Sequence, residues 1–225
     1  MVHNVLLMNF NLTIDILCKE AGRFSDIESL HKESSLFGVT DGKKVGTYIE
    51  HKFQDFLSNK YTYLQGSSAK GIDFPELGVD IKVTSIKQPQ SSCPFRSVSQ
   101  KIYGLGYSLL IFVYDKFDDQ VTQTSTLNIL HVIFVEAART ADFQTTSGIL
   151  KILDNTPNVD DLLAFFEERM FLQNDIEALK LAEEILSGSQ IYLGYLTISN
   201  ALQWRLQYNR VIEKAGIIDG VVRVK

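Results

Sequence analysis

Residues 73–82 read Asp73-Phe74-Pro75-Glu76-Leu77-Gly78-Val79-Asp80-Ile81-Lys82. Pro75 to Gly78 carry turn residues, so Asp73 ends one strand and Val79 to Ser85 form the return strand of a tight hairpin. Successive side chains of a strand point to opposite faces. Val79, Ile81 and Val83 therefore enter a core, while Asp80 and Lys82 share the other face, close to Asp73. Two carboxylates beside a lysine suit a divalent cation with an attacking water next to the ammonium. Mg²⁺ fits such a site, because it takes oxygen ligands and keeps several waters. It would polarise a phosphoryl oxygen and lower the pKa of a bound water. A bare Asp-x-Lys triplet is common and by itself reads as a solvated hairpin, so its surroundings decide.

Upstream, Val45 to Leu57 (VGTYIEHKFQDFL) is an amphipathic helix whose buried stripe is Val45, Ile49, Phe53 and Phe56. Glu50 lies about 100° round from Ile49 at 3.6 residues per turn, at the edge of that stripe, where it can look toward the hairpin. On position alone an ordinary boundary glutamate is the plainer reading. His51 and Lys52 read as surface residues. Between helix and hairpin, Lys60 to Ala69 is a strand and loop, and the small residues Gly66 to Gly71, with Lys70 among them, lack the Walker pattern. Downstream, Ile86 to Arg96 is a proline-containing loop with Lys87, Gln88, Gln90 and Arg96. Such side chains reach phosphates and base edges, and they suit any exposed loop equally. Ser97 to Gly106 is a short helix containing Lys101. Ser108 to Tyr114 and Leu127 to Val135 are apolar runs of strand length, which suggests central strands covered on both faces. His131, inside the second, reads as a satisfied core histidine.

Toward the amino terminus, residues 1–36 read as helical, with Ser25 capping a second short helix. Toward the carboxyl terminus, Val159 to Phe171 and Asn174 to Leu186 are helices with solvated acidic faces, and Ser189 to Thr197 is a strand. Ser199 then caps a helix to about Lys214 that carries Arg205, Gln207 and Arg210, side chains able to read base edges. An amphipathic helix packing Leu202, Trp204 and Leu206 inward explains the same residues.

The chain of 225 residues fits one large domain or two small lobes. No apolar run reaches membrane-span length, and the amino terminus lacks signal-peptide features. Cys18 and Cys93 form no metal or disulfide pattern and read as reduced cytoplasmic thiols. The net charge of −5 argues against a nucleic-acid partner, but its distribution matters more. Residues 41–116 hold ten Lys and Arg against seven Asp and Glu, so the segment with the candidate site is positive.

Glu50, Asp73, Asp80 and Lys82 stand in the order of the PD-(D/E)xK nuclease superfamily, which this chain resembles. The stretch DFPELGVDIKVTS is similar to one in the MutH-type repair endonuclease and its restriction-enzyme relatives, and KKVGTYIEHKF is similar to that family's preceding helix. The likeness runs from about Asp41 to Ser85. It implies a restriction-endonuclease-like α/β fold, a mixed central sheet flanked by helices. It also implies one nuclease domain over residues 1–225, with a catalytic core at 41–116 and a helical, DNA-contacting region at 150–225. Asp73 and Asp80 would bind Mg²⁺, Ile81 would offer its backbone carbonyl, Lys82 would position or activate the water, and Glu50 would be the additional acid. Asp80 stands where closer relatives have Glu. The expected activity is that of a type II restriction endonuclease on double-stranded DNA, and a palindromic target would favour a two-fold homodimer. The rivals are a MutH-like repair nicking enzyme and, in another class, a non-catalytic DNA-binding protein that keeps the fold.

Overall fold

In the computed structural model, the described residues are 10–66, 71–92, 97–169, 174–199 and 204–225. In chain order they form β1 (Phe10–Asn11), α1 (Ile14–Glu28), α2 (Gly42–Ser58), β2 (Tyr61–Thr62), β3 (Val79–Ser85), β4 (Gln90–Ser92), α3 (Gln100–Tyr103) and β5 (Ser108–Asp119). There follow β6 (Thr124–Val135), α4 (Phe143–Leu153), α5 (Val159–Glu168), α6 (Asp175–Leu186), β7 (Thr197–Ser199), β8 (Arg205–Gln207), α7 (Asn209–Lys214) and β9 (Val221–Arg223).

The main sheet has the order β3-β5-β6-β9, with β3 and β5 parallel and the other pairs antiparallel. The apolar run of β5 is covered on both faces, as its composition predicts. Leu110, Phe112 and Tyr114 meet Leu17 and Phe24 of α1 and Ile49 and Phe53 of α2. Phe53 contacts the Phe112 ring edge-on at 5.3 Å between centroids, a favoured aromatic geometry. Leu109, Ile111 and Val113 face the other way, into a second core with Ile198, Leu206, Tyr208 and Val211. A bulge between Val113 and Tyr114 shifts the β5–β6 register. His131 of β6 is half-buried and hydrogen-bonded to Arg223 at 3.2 Å, a satisfied residue as read from sequence. A third core joins α3, α4, α5 and α6 through Ile102, Ile149, Leu162, Phe166 and Ile185. The acidic faces expected to be solvated are so: Asp160, Asp161, Glu167 and Glu168 of α5 and Glu177, Glu183 and Glu184 of α6 are exposed. No helix among the described residues is long and apolar enough to cross a membrane.

Five expectations need correction. The strand expected from Ser189 to Thr197 is irregular chain up to the Leu196 bridge, and the strand there is β7, Thr197–Ser199. Ser25 caps no second helix: it is buried within α1, and its hydroxyl donates to the Gly22 carbonyl at 2.7 Å. Phe10 and Asn11 are a strand paired with β2, and Thr13 caps α1. The loop after the hairpin contains β4. The helix expected from Ser199 to Lys214 is β7, β8 and the short α7, so Arg205 and Gln207 lie on a strand. The reason is tertiary: Leu206 alone between them is fully buried, an alternation of period two, and β8 pairs antiparallel with both β4 and β7.

Candidate active site

The turn and the return strand form as the sequence dictates, but Asp73 ends no strand: Phe74 alone pairs with β3, as an isolated bridge. Phe74 and Val79 exchange both backbone hydrogen bonds, at 2.9 and 3.2 Å, and Gly78 closes the turn with φ +60°, a conformation that suits glycine. Among the described residues, the returning strand β3 is an edge of the main sheet, with β5 on one side only. Its even-numbered residues pair toward β5, as shown by the Ser108 N–H donating to the Gly78 carbonyl. Its odd-numbered residues turn their backbone to the free edge. Val79 is bonded there by Phe74, and the Ile81 N–H donates to Asp73 Oδ2 at 2.7 Å. The N–H and C=O of one strand residue point to the same side, so the Ile81 carbonyl faces the edge that carries Asp73.

The side chains follow the alternation read from sequence. Val79, Ile81 and Val83 join the core beneath α2, and Asp80, Lys82 and Thr84 take the other face. Lys82 Nζ lies 2.6 Å from the buried Asp80 Oδ2, an ion pair whose angles are off ideal hydrogen-bond geometry. Asp80 is 4% exposed. Burial pushes its carboxyl up to about 7, with the neighbouring Asp73 adding to the rise and Lys82 opposing it. Burial also raises Asp73, and Glu50 of α2 adds to it, while the contact with Asp80 and the Ile81 N–H pull the other way. The pair thus holds a proton more tightly than a free carboxyl because two negative charges crowd a poorly hydrated spot.

Two grooves meet here. One, of about 570 Å³, is lined by Glu50, Gln54, Gln65, Asp73, Asp80 and Lys82. The other, of about 740 Å³, runs past Lys43, Glu50, Lys82, Gln90 and Arg205. Glu50, Ile81 and Lys82 line both and form the ridge between them, while Asp73 and Asp80 line the smaller groove alone.

Among the described residues, no three His, Cys, Asp or Glu side chains form a ready-made ion cage. A cation that keeps most of its waters needs none. Two carboxylates in contact, both shifted toward the neutral form, and a carbonyl turned to the same edge are a donor set that Mg²⁺ fits.

The other named residues are scattered. Gln88 lines the larger groove with Arg205. Lys87 is exposed, 3.8 Å from Asp115. Gln207 shares the outward face of β8 with Arg205. Lys101 is 7% exposed, with its ammonium 4.8 Å from the Trp204 ring centroid, so it faces inward. The Arg210 guanidinium stacks on Phe143 at 3.7 Å. Lys70 and Arg96 lie outside the described residues.

Sequence reasoning missed Asp142. It is buried as the cap of α4, where Oδ2 accepts from the Thr145 N–H at 2.9 Å and Oδ1 from the Ile198 N–H at 2.8 Å. It ties α4 to β7. An Asp three residues before Thr145 was the available cap signal.

The family described as Type II restriction enzyme NspV matches residues 11–223. A protein named Type II restriction enzyme NspV, from Nostoc sp. (strain ATCC 29411 / PCC 7524), is 62% identical over 213 residues, which cover 95% of this chain and 96% of that protein. No solved structure matches significantly. A match of that extent leaves one conclusion: the chain belongs to the type II restriction enzyme NspV family.

Proposed function

We propose that this restriction endonuclease hydrolyses double-stranded DNA with Mg²⁺ held by Asp73, Asp80 and the Ile81 carbonyl, as the PD-(D/E)xK resemblance implies. The observation that carries the reading is the pair of buried Asp80 and half-buried Asp73 beside Lys82 at the free edge of β3. When bound, the cation would neutralise charge on the phosphoryl group and acidify a water. The remaining roles belong to the chain. Asp73 is fixed by the Ile81 N–H, so the two carboxylates are oriented before any ligand arrives. Lys82 projects from the same face two residues on. With Asp80 engaged elsewhere, its ammonium is free to orient the attacking water and to stabilise charge developing on the phosphate. Glu50, on the wall shared by both grooves, would hold a further water or accept its proton. A two-fold homodimer would present two such sites to the two strands of a palindrome.

The test is purified protein on plasmid DNA with and without Mg²⁺, beside Asp80→Ala and Lys82→Ala. Discrete Mg²⁺-dependent bands, lost in both variants, are expected. Nicked circles alone would move the reading to a MutH-like nicking enzyme. Undiminished cleavage by both variants would remove the site from β3 altogether.

A further inference from the structure

The β4–β8–β7 sheet has one apolar and one polar face. Leu206 and Ile198 enter the second core, so their neighbours along each strand point outward. The register puts Ser92, Arg205 and Ser199 in one row and Gln90, Gln207 and Thr197 in the next. Paired residues of an antiparallel sheet share a face, so this whole outward surface is polar. Among the described residues, the side chains of Arg205, Gln90 and Gln207 have no hydrogen bond or ion pair. Arg205 and Gln90 line the same groove as Lys82 and Glu50.

The sheet is tied to the catalytic strand. Thr84, on the same face of β3 as Asp80 and Lys82, is buried, and its hydroxyl accepts from the Gln90 N–H at 2.9 Å. On its other edge β4 is held by β8. Arg205 and Gln90 are therefore mounted on rigid backbone in register with the candidate active site, as a reading surface requires.

We infer that Arg205 and Gln90 are specificity-determining residues that read base edges in the groove of the bound duplex, an assignment that rests on the DNA-cleaving role proposed above. The major groove admits a β-ribbon, an arginine fork matches the O6 and N7 acceptors of guanine, and a glutamine amide matches N6 and N7 of adenine. The spacing also fits. Arg205 and Gln90 are diagonal neighbours across β8 and β4, about 7–8 Å apart, and base pairs two steps apart are separated by about 6.8 Å. The two side chains thus read positions two base pairs from each other. Lys101 and Arg210, buried or stacked elsewhere, take no part.

The experiment uses the full chain. The ends cut from plasmid DNA give the target, and a panel of duplexes follows, each with one base pair replaced. Cleavage with Mg²⁺ (as kcat/KM) and equilibrium binding in EDTA are both read. Arg205→Ala is expected to lose roughly 5- to 150-fold on the intact target, the worth of one bidentate contact, and to lose discrimination at a single G·C position. Gln90→Ala should do the same at one A·T position two steps away. Arg205→Lys keeps the charge without the fork and should show the same relaxed position, so misfolding of the alanine variant cannot decide the matter. A uniform loss across the panel, with the salt dependence reduced by about one phosphate contact, would make Arg205 a backbone contact and overturn the inference. Unchanged discrimination in all three variants would do so as well. Sequence-selective binding by the wild type without cleavage would instead overturn the hydrolytic reading and leave this one to the binding panel.

Discussion

Asp80→Asn should make the metal-free protein more stable. The residue is 4% exposed, and its carboxyl is lifted from the usual 3.8 to about 7, first by burial and then by Asp73, net of the attraction of Lys82. Below about pH 4, Asp80 is neutral in both the folded and the unfolded chain and costs nothing. Between pH 4 and 7 the unfolded chain ionises first, so stability falls as pH rises. Above about pH 7 the folded carboxyl is also charged, and the penalty is complete. At about 1.36 kcal/mol for each tenfold change in proton affinity, that penalty is on the order of 4 kcal/mol. Relaxation of the surroundings and coupling to Asp73 would trim it to roughly 2–4 kcal/mol. Asparagine keeps the shape without the charge. In a domain of this size about 1 kcal/mol moves the melting temperature by roughly 2–4 °C. The variant should therefore melt on the order of 5–10 °C above the wild type at pH 8 in EDTA, and level with it near pH 4. Mg²⁺ should raise the wild-type melting temperature at pH 8, because a ligand of the folded state stabilises it, and should do so far less for the variant. Thermal melts by circular dichroism across pH, with EDTA or Mg²⁺, measure all of this. An asparagine variant no more stable than wild type at pH 8 would refute the idea that β3 carries a costly buried charge.

Other substitutions test other parts of the molecule. Lys82→Gln should lower the single-turnover cleavage rate by about 10²–10⁴-fold, the usual worth of a positioned proton-transfer or charge-stabilising group, while fluorescence anisotropy still registers duplex binding. Asp142→Ala strands the Thr145 and Ile198 N–H groups that its carboxylate accepts. It should cost about 2–4 kcal/mol in urea unfolding, and it should lower target discrimination with stability, since β7 belongs to the sheet proposed to read the bases. At Gly194 an added Cβ would stand 2.1 Å from the Ala141 carbonyl oxygen. Gly194→Ala should therefore force a backbone shift costing about 1–3 kcal/mol, visible as a lower denaturation midpoint.

The candidate site was legible because its determinants are local. A turn at Pro75–Gly78, an alternating strand after it and an amphipathic helix ahead of it fall within about forty residues of chain, and each follows from nearest-neighbour rules. Strand β5 was legible from its unbroken apolar run. The reading sheet was not. Its three-residue strands carry too little pattern, and Leu206 serves a helical stripe as well as a strand alternation. What settles the matter is pairing with Gln90–Ser92, more than a hundred residues away, which no local signal encodes. The same holds for the buried acids Glu20 and Glu28 of α1. They look like surface charges until Lys60 and Lys52 arrive at 2.9 and 2.8 Å from other parts of the chain.

The position of the site on an edge strand has a physical logic. An edge presents unpaired N–H and C=O groups that invite another strand and must be blunted. On β3 the blunting is done by Phe74, which bonds Val79, and by Asp73, which takes the Ile81 N–H. The residue that protects the edge is thus a candidate metal ligand, and the carbonyl it leaves beside it is another. A central strand could not offer this, since both groups of Ile81 would be spent on a neighbour. The face of the same strand turned away from the core beneath α2 carries Asp80, Lys82 and Thr84, and the Thr84 hydroxyl accepts from the Gln90 N–H of the sheet proposed to read the bases. One seven-residue strand therefore fixes both where phosphodiester chemistry is proposed to happen and where the bases are proposed to be read. A shift of β3 by one residue would exchange its two faces and lose both together. The register with β5, seven consecutive pairs from Val79–Ser108 to Ser85–Tyr114, is what holds them in place.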